Sequence, residues 1–417
     1  MTVDSRQFSL YVHIPYCASK CPYCDFNSYA AARWPESEYV AALVGELAHA
    51  AGHEPWRNGR VATIFFGGGT PSLFTPESIA EVLAAVRRQW PVTKSRVESS
   101  ELRVDSGTVE SYSLTLASRL STVNSEIETT LEANPGTVTR DTLRAFRAAG
   151  INRVSFGVQS FTPRHLTRLG RVHDADEAVA AVRLARQAGF DNVNLDLIFA
   201  VPGQTLSEWE ADLDTAVALA PDHLSVYSLT YEEGTAFHAM RRHGQLVPVP
   251  EEIELAMFTQ AQERLGAAGY RQYEISNYAR RGYECRHNLN YWRGGEYLGI
   301  GAGAHSFART PVAGRRWSNE KDPNVYMRRV QVDGHAQGFE EALSERQARG
   351  EFVFLGLRCL DGLDTRAFAE RFGVDFVTAF PHSETLRSDG LLAADDRRWS
   401  LTSRGLLVAD SVFATFI

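Results

Sequence analysis

Three thiols, Cys17, Cys21 and Cys24, fall within eight residues at the spacing C-x3-C-x2-C, in the run Tyr11–Asn27. Thiolates this close can converge on one soft metal centre, and iron–sulfur clusters are held by cysteine thiolates. A closed structural site uses four protein ligands. Three leave one iron open to an external ligand, much as catalytic zinc sites keep an open position. A disulfide is disfavoured, because the chain has five cysteines in 417 residues and no legible signal peptide. A zinc knuckle needs a fourth ligand, which His13 or Asp25 could supply. Pro22 and the flanking aromatics mark a structured loop rather than chance clustering. Cys285 and Cys359 stand alone and read as ordinary buried thiols.

Composition narrows the class. Apolar residues make up 44% of the chain, with no uninterrupted run near ~20, so no membrane span is expected. A net charge of −8 argues against nucleic acid as a partner. Thiols free to hold iron imply a reducing compartment, hence the cytoplasm.

The elements that must position the cysteines are legible as an alternation. Strand-like runs are Leu10–Ile14, Val61–Phe66, Ile127–Glu132, Arg153–Val158, Val193–Phe199 and His223–Leu229. Amphipathic stretches between them are Tyr39–Ala51, Pro76–Gln89, Thr139–Ala149, Ala175–Ala188 and Leu206–Ala220. Thr75 before Pro76 is a start signal, and Gly150 and Gly189 fall where helices should stop. Short strand–helix alternation implies a parallel sheet, and six units fit a partial, open (β/α)6 barrel of the α/β class.

Polar residues and glycines collect where these strands end. The first is followed by the cysteine loop, the second by Gly67-Gly-Gly-Thr-Pro-Ser72, and the third ends in Glu132. The fourth reaches Gln159, and the fifth carries Asp196. In a barrel those ends share one face, where active sites are built. Glycines let backbone approach a ligand closely; Glu132 and Asp196 can accept from ammonium or hydroxyl groups, and Gln159 can donate and accept. Arg171 could hold a carboxylate by a charge-assisted bond.

Together these residues resemble radical S-adenosylmethionine (SAM) proteins of the oxygen-independent coproporphyrinogen III oxidase family, and within it the haem-chaperone branch. The segments carrying the resemblance are Tyr11–Phe26, Gly67–Ser72, Glu132–Pro135, Asn152–Phe161, Leu169–His173, Asn194–Thr205 and His287–Trp292. The resemblance implies that Cys17, Cys21 and Cys24 bind a 4Fe–4S cluster. It places Tyr11, Tyr23, Gly68, Gly69, Thr70, Glu132, Gln159, Arg171 and Asp196 around SAM. The oxidases carry a fourth cysteine two residues after the third; here that position is Phe26.

The hexapeptide His287-Asn-Leu-Asn-Tyr-Trp292 resembles the H-N-x-x-Y-W motif of the chaperone branch. An imidazole can ligate iron, and Tyr291 and Trp292 offer flat apolar faces to a porphyrin. A hydrogen-bonded corner of the core is the competing reading of His287. His13 and His305 are secondary candidates. The implied function is a haem chaperone that binds the cluster and SAM, lacks coproporphyrinogen oxidase activity, and delivers haem to acceptor haemoproteins, with peripheral contact where these lie in membranes. The rival is a true oxidase that decarboxylates coproporphyrinogen III to protoporphyrinogen IX.

Three regions are expected: a barrel over 1–240, an extension over 241–335 carrying the HNxxYW motif, and a C-terminal domain over 336–417. A Ser/Thr-rich segment, about 93–125, interrupts the barrel, and alternating Leu102, Val104, Leu114 and Leu116 suggest a hairpin in it. In the last region, helices at Glu341–Leu360 and Thr365–Phe372, a Gly373 stop and a two-stranded wing before a final helix resemble a small α+β winged helix. The acidic balance favours a lid or protein-docking role for it over DNA binding.

Overall fold

The computed structural model describes residues 6–91, 127–310 and 313–417. Strands β1 (Gln7–Ile14), β2 (Arg60–Gly68), β3 (Glu128–Ala133), β4 (Arg153–Gln159), β5 (Val193–Phe199) and β6 (His223–Ser228) lie side by side in sequence order, each parallel to the next. Parallel neighbours need a crossover at every step. Helices Glu36–Gly52, Pro76–Gln89, Arg140–Ala149, Ala175–Gln187 and Leu206–Ala218 supply them. Their starts are fixed locally. Thr75 accepts from the Ser78 amide, and Thr139, Asp174 and Thr205 each close a reciprocal capping box. The expected segment 93–125 lies outside the described residues.

Strand alternation sorts the side chains. Leu10, Val12, Ile64, Phe66, Leu131, Val154, Phe156, Leu195, Leu197, Leu224 and Val226 join the main apolar core. Their alternating neighbours face the other way and are mostly polar: Tyr11, Glu132, Ser155, Asn194, Asp196 and Ser225 line an inner chamber. The period of two thus builds a dry wall and a polar lumen from the same strands.

The sheet is wider than the six expected units. Strands β7 (Arg271–Glu274), β8 (Asn277–Ala279), β9 (Tyr297–Ile300), β10 (His305–Ala308), β11 (Arg315–Asn319) and β12 (Gln337–Ala342) extend it to the order β12-β11-β10-β9-β1-β2-β3-β4-β5-β6-β8-β7. β9 runs parallel to β1, whereas β8 pairs antiparallel with β6 and β10 to β12 form an antiparallel run. The stretch after residue 240 therefore supplies both flanks of the barrel.

One boundary is corrected. Glu341 and Ala342 end β12, and the helix begins at Glu345 because the Ser344 side chain and Gln347 form a capping box. It runs Glu345–Arg358, followed by Thr365–Phe372, where Gly373 stops the helix at φ 68°. The wing, Leu392–Ala394 with Arg398–Leu401, gains a third strand at Leu363–Asp364. Val353, Leu357, Phe368, Phe372, Phe376 and Trp399 form a second core, which Phe307 of β10 joins to the barrel flank. Among the described residues no helix is long and apolar enough to cross a membrane.

Candidate cluster and cofactor site at the barrel mouth

The cysteine loop leaves β1 at the carboxyl end of the sheet and is tied down on three sides. Tyr16–Cys17 pairs with Tyr29–Ala30, and the Gly69 and Thr70 amides donate to Ile14 O and Tyr16 O at 2.8 Å each. Asn27 Nδ2 reaches Ala302 O (3.0 Å) and Lys321 O (2.9 Å), anchoring the loop to the flank. Thr70 Oγ1 donates to Cys17 Sγ at 3.5 Å, Arg171 Nη1 to Cys21 Sγ at 3.5 Å, and Cys24 Sγ lies 3.8 Å from Ser28 Oγ. All three thiols are half-buried.

Burial pushes the Cys17 and Cys24 thiols up, and the neighbouring cysteines push the same way. Thiolates crowded like this call for a cation to deprotonate them together. Among the described residues no trio of His, Cys, Asp and Glu closes on a single ion. A cube makes no such demand, since each thiolate takes its own iron. The soft donor set fits an iron–sulfur cluster with one iron left open.

Beside the loop, Arg171 Nη2 donates to Gly157 O (2.8 Å) and to Asn134 Oδ1, while its Nε is buried without a partner. Gln159, at φ 69°, keeps Oε1 buried and unpartnered. A side chain at Gly157 would meet Gln159 Nε2 at 2.9 Å and Arg171 Nη2 at 3.2 Å, so glycine there keeps this corner open. An orphan acceptor and an orphan guanidinium NH fit a ligand carrying both hydroxyl or ammonium and carboxylate groups, as SAM does. Tyr23 packs on the Phe237 ring at 6.4 Å and touches Arg171.

In the glycine triplet, Gly68 and Gly69 spend their amides within the protein. Gly68 has φ 113° and no room for a Cβ against the His13 ring; a Cβ on Gly69 would stand 2.6 Å from Tyr16 O. Gly68 N is bonded to Glu132 Oε2 (3.2 Å) and Gly69 N to Ile14 O. The close approach is to the protein's own cysteine loop. Thr70 likewise is buried, accepting from Asn134 Nδ2 at 2.9 Å.

Below the mouth, Glu132 and Asp196 share the lumen. Burial, then the Asp196 charge, pushes Glu132 up to about 8. Asp196 accepts from Asn194 Nδ2 (2.8 Å) and Ser155 Oγ (3.3 Å), and burial raises it too. Tyr11 OH bonds His13 Nδ1 at 2.9 Å. Arg153, Ser155, Asn194 and Ser225 belong to this lining and were missed, as was Asn134 at the mouth beside Arg171; stepping by two from Gln159 and Asp196 along their strands would have found the first three.

The HNxxYW motif forms a short helix, Arg286–Trp292, that closes the lumen floor. The Glu128 carboxylate accepts from the Arg286 (3.1 Å) and His287 (3.0 Å) amides. The His287 ring, 1% exposed, is engaged at both nitrogens: Nδ1 with Thr63 Oγ1 at 2.8 Å and Nε2 with Tyr291 OH at 2.9 Å. Burial drives its pKa down to about 3. Both ring nitrogens thus have protein partners, the geometry of a hydrogen-bonded corner, and iron ligation here would require exchanging one of these bonds. Trp292 lies under the Arg358 guanidinium at 4.4 Å.

Tyr291 and Trp292 also face a second space. A cleft of about 630 Å³ opens between the barrel flank and helix Glu345–Arg358, with Phe26, His305, Phe307, Arg316, Phe352 and Arg371 on its walls, and it is continuous with Tyr11, Gly68 and Glu132 of the cofactor site. Phe26 is 60% exposed at its edge.

A six-stranded parallel arc with a three-cysteine loop at its carboxyl end defines a radical SAM scaffold, and the comparisons agree. The chain matches the radical SAM superfamily over residues 11–216 and the HemN C-terminal domain over 343–408. It is 37% identical to the heme chaperone HemW of Escherichia coli, over 98% of each chain. It is 34% identical to that of Bacillus subtilis, over 98% of this chain and 99% of the relative. In structure it is similar to coproporphyrinogen III oxidase (HemN) from E. coli, a radical SAM enzyme, with TM-score 0.78 and 24% identity, covering 99% of this chain and 90% of the other. The chain belongs to the radical SAM superfamily and, within it, to the HemW family. Superfamily membership implies a 4Fe–4S cluster and SAM.

Proposed function

We propose that this chain carries haem on a radical SAM scaffold and hands it to acceptor haemoproteins, working in a reducing cytoplasm. Cys17, Cys21 and Cys24 hold the cluster, and its open iron takes SAM. Cluster and SAM together supply one-electron chemistry. The chain's own residues bind and orient: Arg171 faces the SAM carboxylate, and Gln159, Glu132 and Asp196 take its ammonium and ribose hydroxyls. Tyr11, Tyr23 and the Gly68-Gly-Thr70 turn shape the walls. Membrane haemoproteins among the acceptors would be met peripherally.

The observation that carries this reading is the cleft beside the cysteine loop, with aromatic walls, cationic side chains and Phe26 where oxidases place another thiol. Apolar walls with a few convergent charges suit a flat amphiphile, and the volume lies in the usual range for ligand sites, ~300–1,000 Å³. The relatives' name points the same way.

The test is a haemin titration of anaerobically reconstituted protein, paired with a turnover assay. A Soret band saturating at about one haem per chain is expected, with no conversion of coproporphyrinogen III when SAM and reductant are supplied. Turnover to protoporphyrinogen IX would establish the oxidase reading instead.

A further inference from the structure

We propose that Glu46 is a positioning residue for the cysteine loop, and so for SAM, acting through the turn 301–303 that holds both ends of that loop. The proposal rests on the cluster-and-SAM reading and adds to it a residue of the helix layer that touches neither.

Glu46 is 5% exposed in the helix Glu36–Gly52, and three donors from other elements converge on its carboxylate. Oε2 accepts from Gly301 N at 3.0 Å and from Tyr326 OH at 2.6 Å, and Oε1 accepts from Asn319 Nδ2 at 2.6 Å. No cation is among these partners. A carboxylate buried without a counter-ion is strongly disfavoured, and it survives only where every neighbour donates to it. Leu43 and Leu47 fill the same region of the core from the same helix, so packing alone does not call for an acid there.

What the carboxylate holds is a backbone turn. Asn319 Nδ2 also donates to Gly301 O (2.9 Å), which fixes the Gly301 amide and carbonyl together. The next amide, Ala302 N, donates to Tyr39 OH at 2.8 Å, and that hydroxyl donates to His13 O at 2.9 Å. Ala302 O is thereby aimed at Asn27 Nδ2, 3.0 Å away. There is no slack: a Cβ on Gly301 would stand 2.4 Å from His13 O, and one on Gly303 2.5 Å from Asn27 Nδ2. His13 precedes Cys17 and Asn27 follows Cys24, so the turn grips the loop on both sides of its sulfurs. Residues that orient metal ligands without touching the metal commonly change affinity by about 10–100-fold when replaced.

Burial pushes Glu46 up to about 7, so the protonated carboxyl loses an acceptor site as pH falls through that value. The titratable groups facing it are Tyr326, from the helix Pro323–Asp333, and Tyr39 of its own helix. Burial drives both upward, and both stay neutral.

The experiment uses full-length, anaerobically reconstituted protein and reads iron and sulfide content, SAM affinity and the electron paramagnetic resonance of the reduced state. Glu46→Gln keeps the side chain's shape and turns one acceptor into a donor. It should retain its cluster, weaken SAM about tenfold and diminish the change in g-values that SAM produces. Asn27→Ala cuts the same route at its far end, and the double variant should lose no more than the worse single one. Wild-type SAM affinity should fall with acid through about pH 7, a step that Glu46→Gln should lack. Glu274→Gln, which breaks a carboxylate just as buried but paired with Arg358 (2.8 Å), controls for lost stability. It should leave SAM affinity within about twofold. If Glu46→Gln takes up no cluster, Tyr326→Phe removes one donor alone and should still weaken SAM with the cluster intact. Unchanged SAM affinity in cluster-loaded Glu46→Gln or, failing that, in Tyr326→Phe overturns the proposal. So do losses that add in the double variant, or an equal loss in Glu274→Gln. Wild type that takes up no iron, or whose signal ignores SAM, sinks the cluster-and-SAM reading itself.

Discussion

His287 and His305 stand at opposite ends of one design. At the barrel floor, His287 sits in a helix docked by Glu128, with both ring nitrogens bonded and its charge suppressed by burial. In the cleft, His305 sits at a strand end with its ring exposed and unbonded among the described residues. The more conspicuous sequence motif belongs to the satisfied residue. A ligand at a hydrogen-bonded ring must displace a partner, whereas unmet bonding capacity is open to a ligand directly. The mouth repeats the lesson: Gln159 Oε1 and Arg171 Nε are orphaned, while the amides of Gly68 and Gly69 are spent.

The largest expected effect lies with the thiols that stay accessible. Cys17→Ala, Cys21→Ala or Cys24→Ala should abolish cluster assembly after anaerobic reconstitution, read as iron and acid-labile sulfide. Cys285→Ser, whose thiol is buried and pushed up to about 12, should leave the iron content unchanged.

Gly68→Ala comes next. It forces a positive φ on an L-residue and a clash with the His13 ring, so a loss of about 2–4 kcal/mol in urea unfolding is expected, with weakened cluster retention. His287→Ala should cost about 2–3 kcal/mol, because Thr63 and Tyr291 lose buried partners. An unchanged urea midpoint would contradict the buried pairing of His287 with Thr63 and Tyr291.

The smallest effect is in pH dependence. The Glu132 carboxyl, raised from 4.5 to about 8 by burial and then by Asp196, holds its proton more tightly when folded. Its stabilising share is fully present below the ordinary carboxylate value and is lost as pH rises through about 8. Glu132→Gln should therefore flatten the fall in Tm over that window, measured without SAM. His287 acts oppositely: its lowered pKa gives stability present above 6.5 and lost as pH falls toward about 3.

Much of the scaffold was legible because it obeys local rules. Val193–Phe199 and Pro76–Gln89 were readable to the residue, one from a β-rich apolar run and the other from Thr75 and Pro76. The flanking strands were not. Arg271–Glu274, Asn277–Ala279 and Tyr297–Ile300 are three or four residues long and take their pairing from neighbours distant in sequence, such as β1 with β9. The cysteine spacing announced its chemistry, since ligand type and separation survive in one dimension. Which histidine is free could not be read, because Thr63 lies 224 positions from its partner His287. The glycine triplet was visible, but its neighbour across the turn, the Pro15–Tyr16 backbone, was not.

Cluster and SAM both depend on the cysteine loop at the barrel mouth. Electron paramagnetic resonance of the anaerobically reconstituted, reduced protein, recorded before and after SAM is added, tests it directly. A 4Fe–4S signal whose g-values move on addition of SAM is expected, with about four irons per chain. A signal that SAM leaves untouched, or protein that takes up no iron and sulfide, would contradict it.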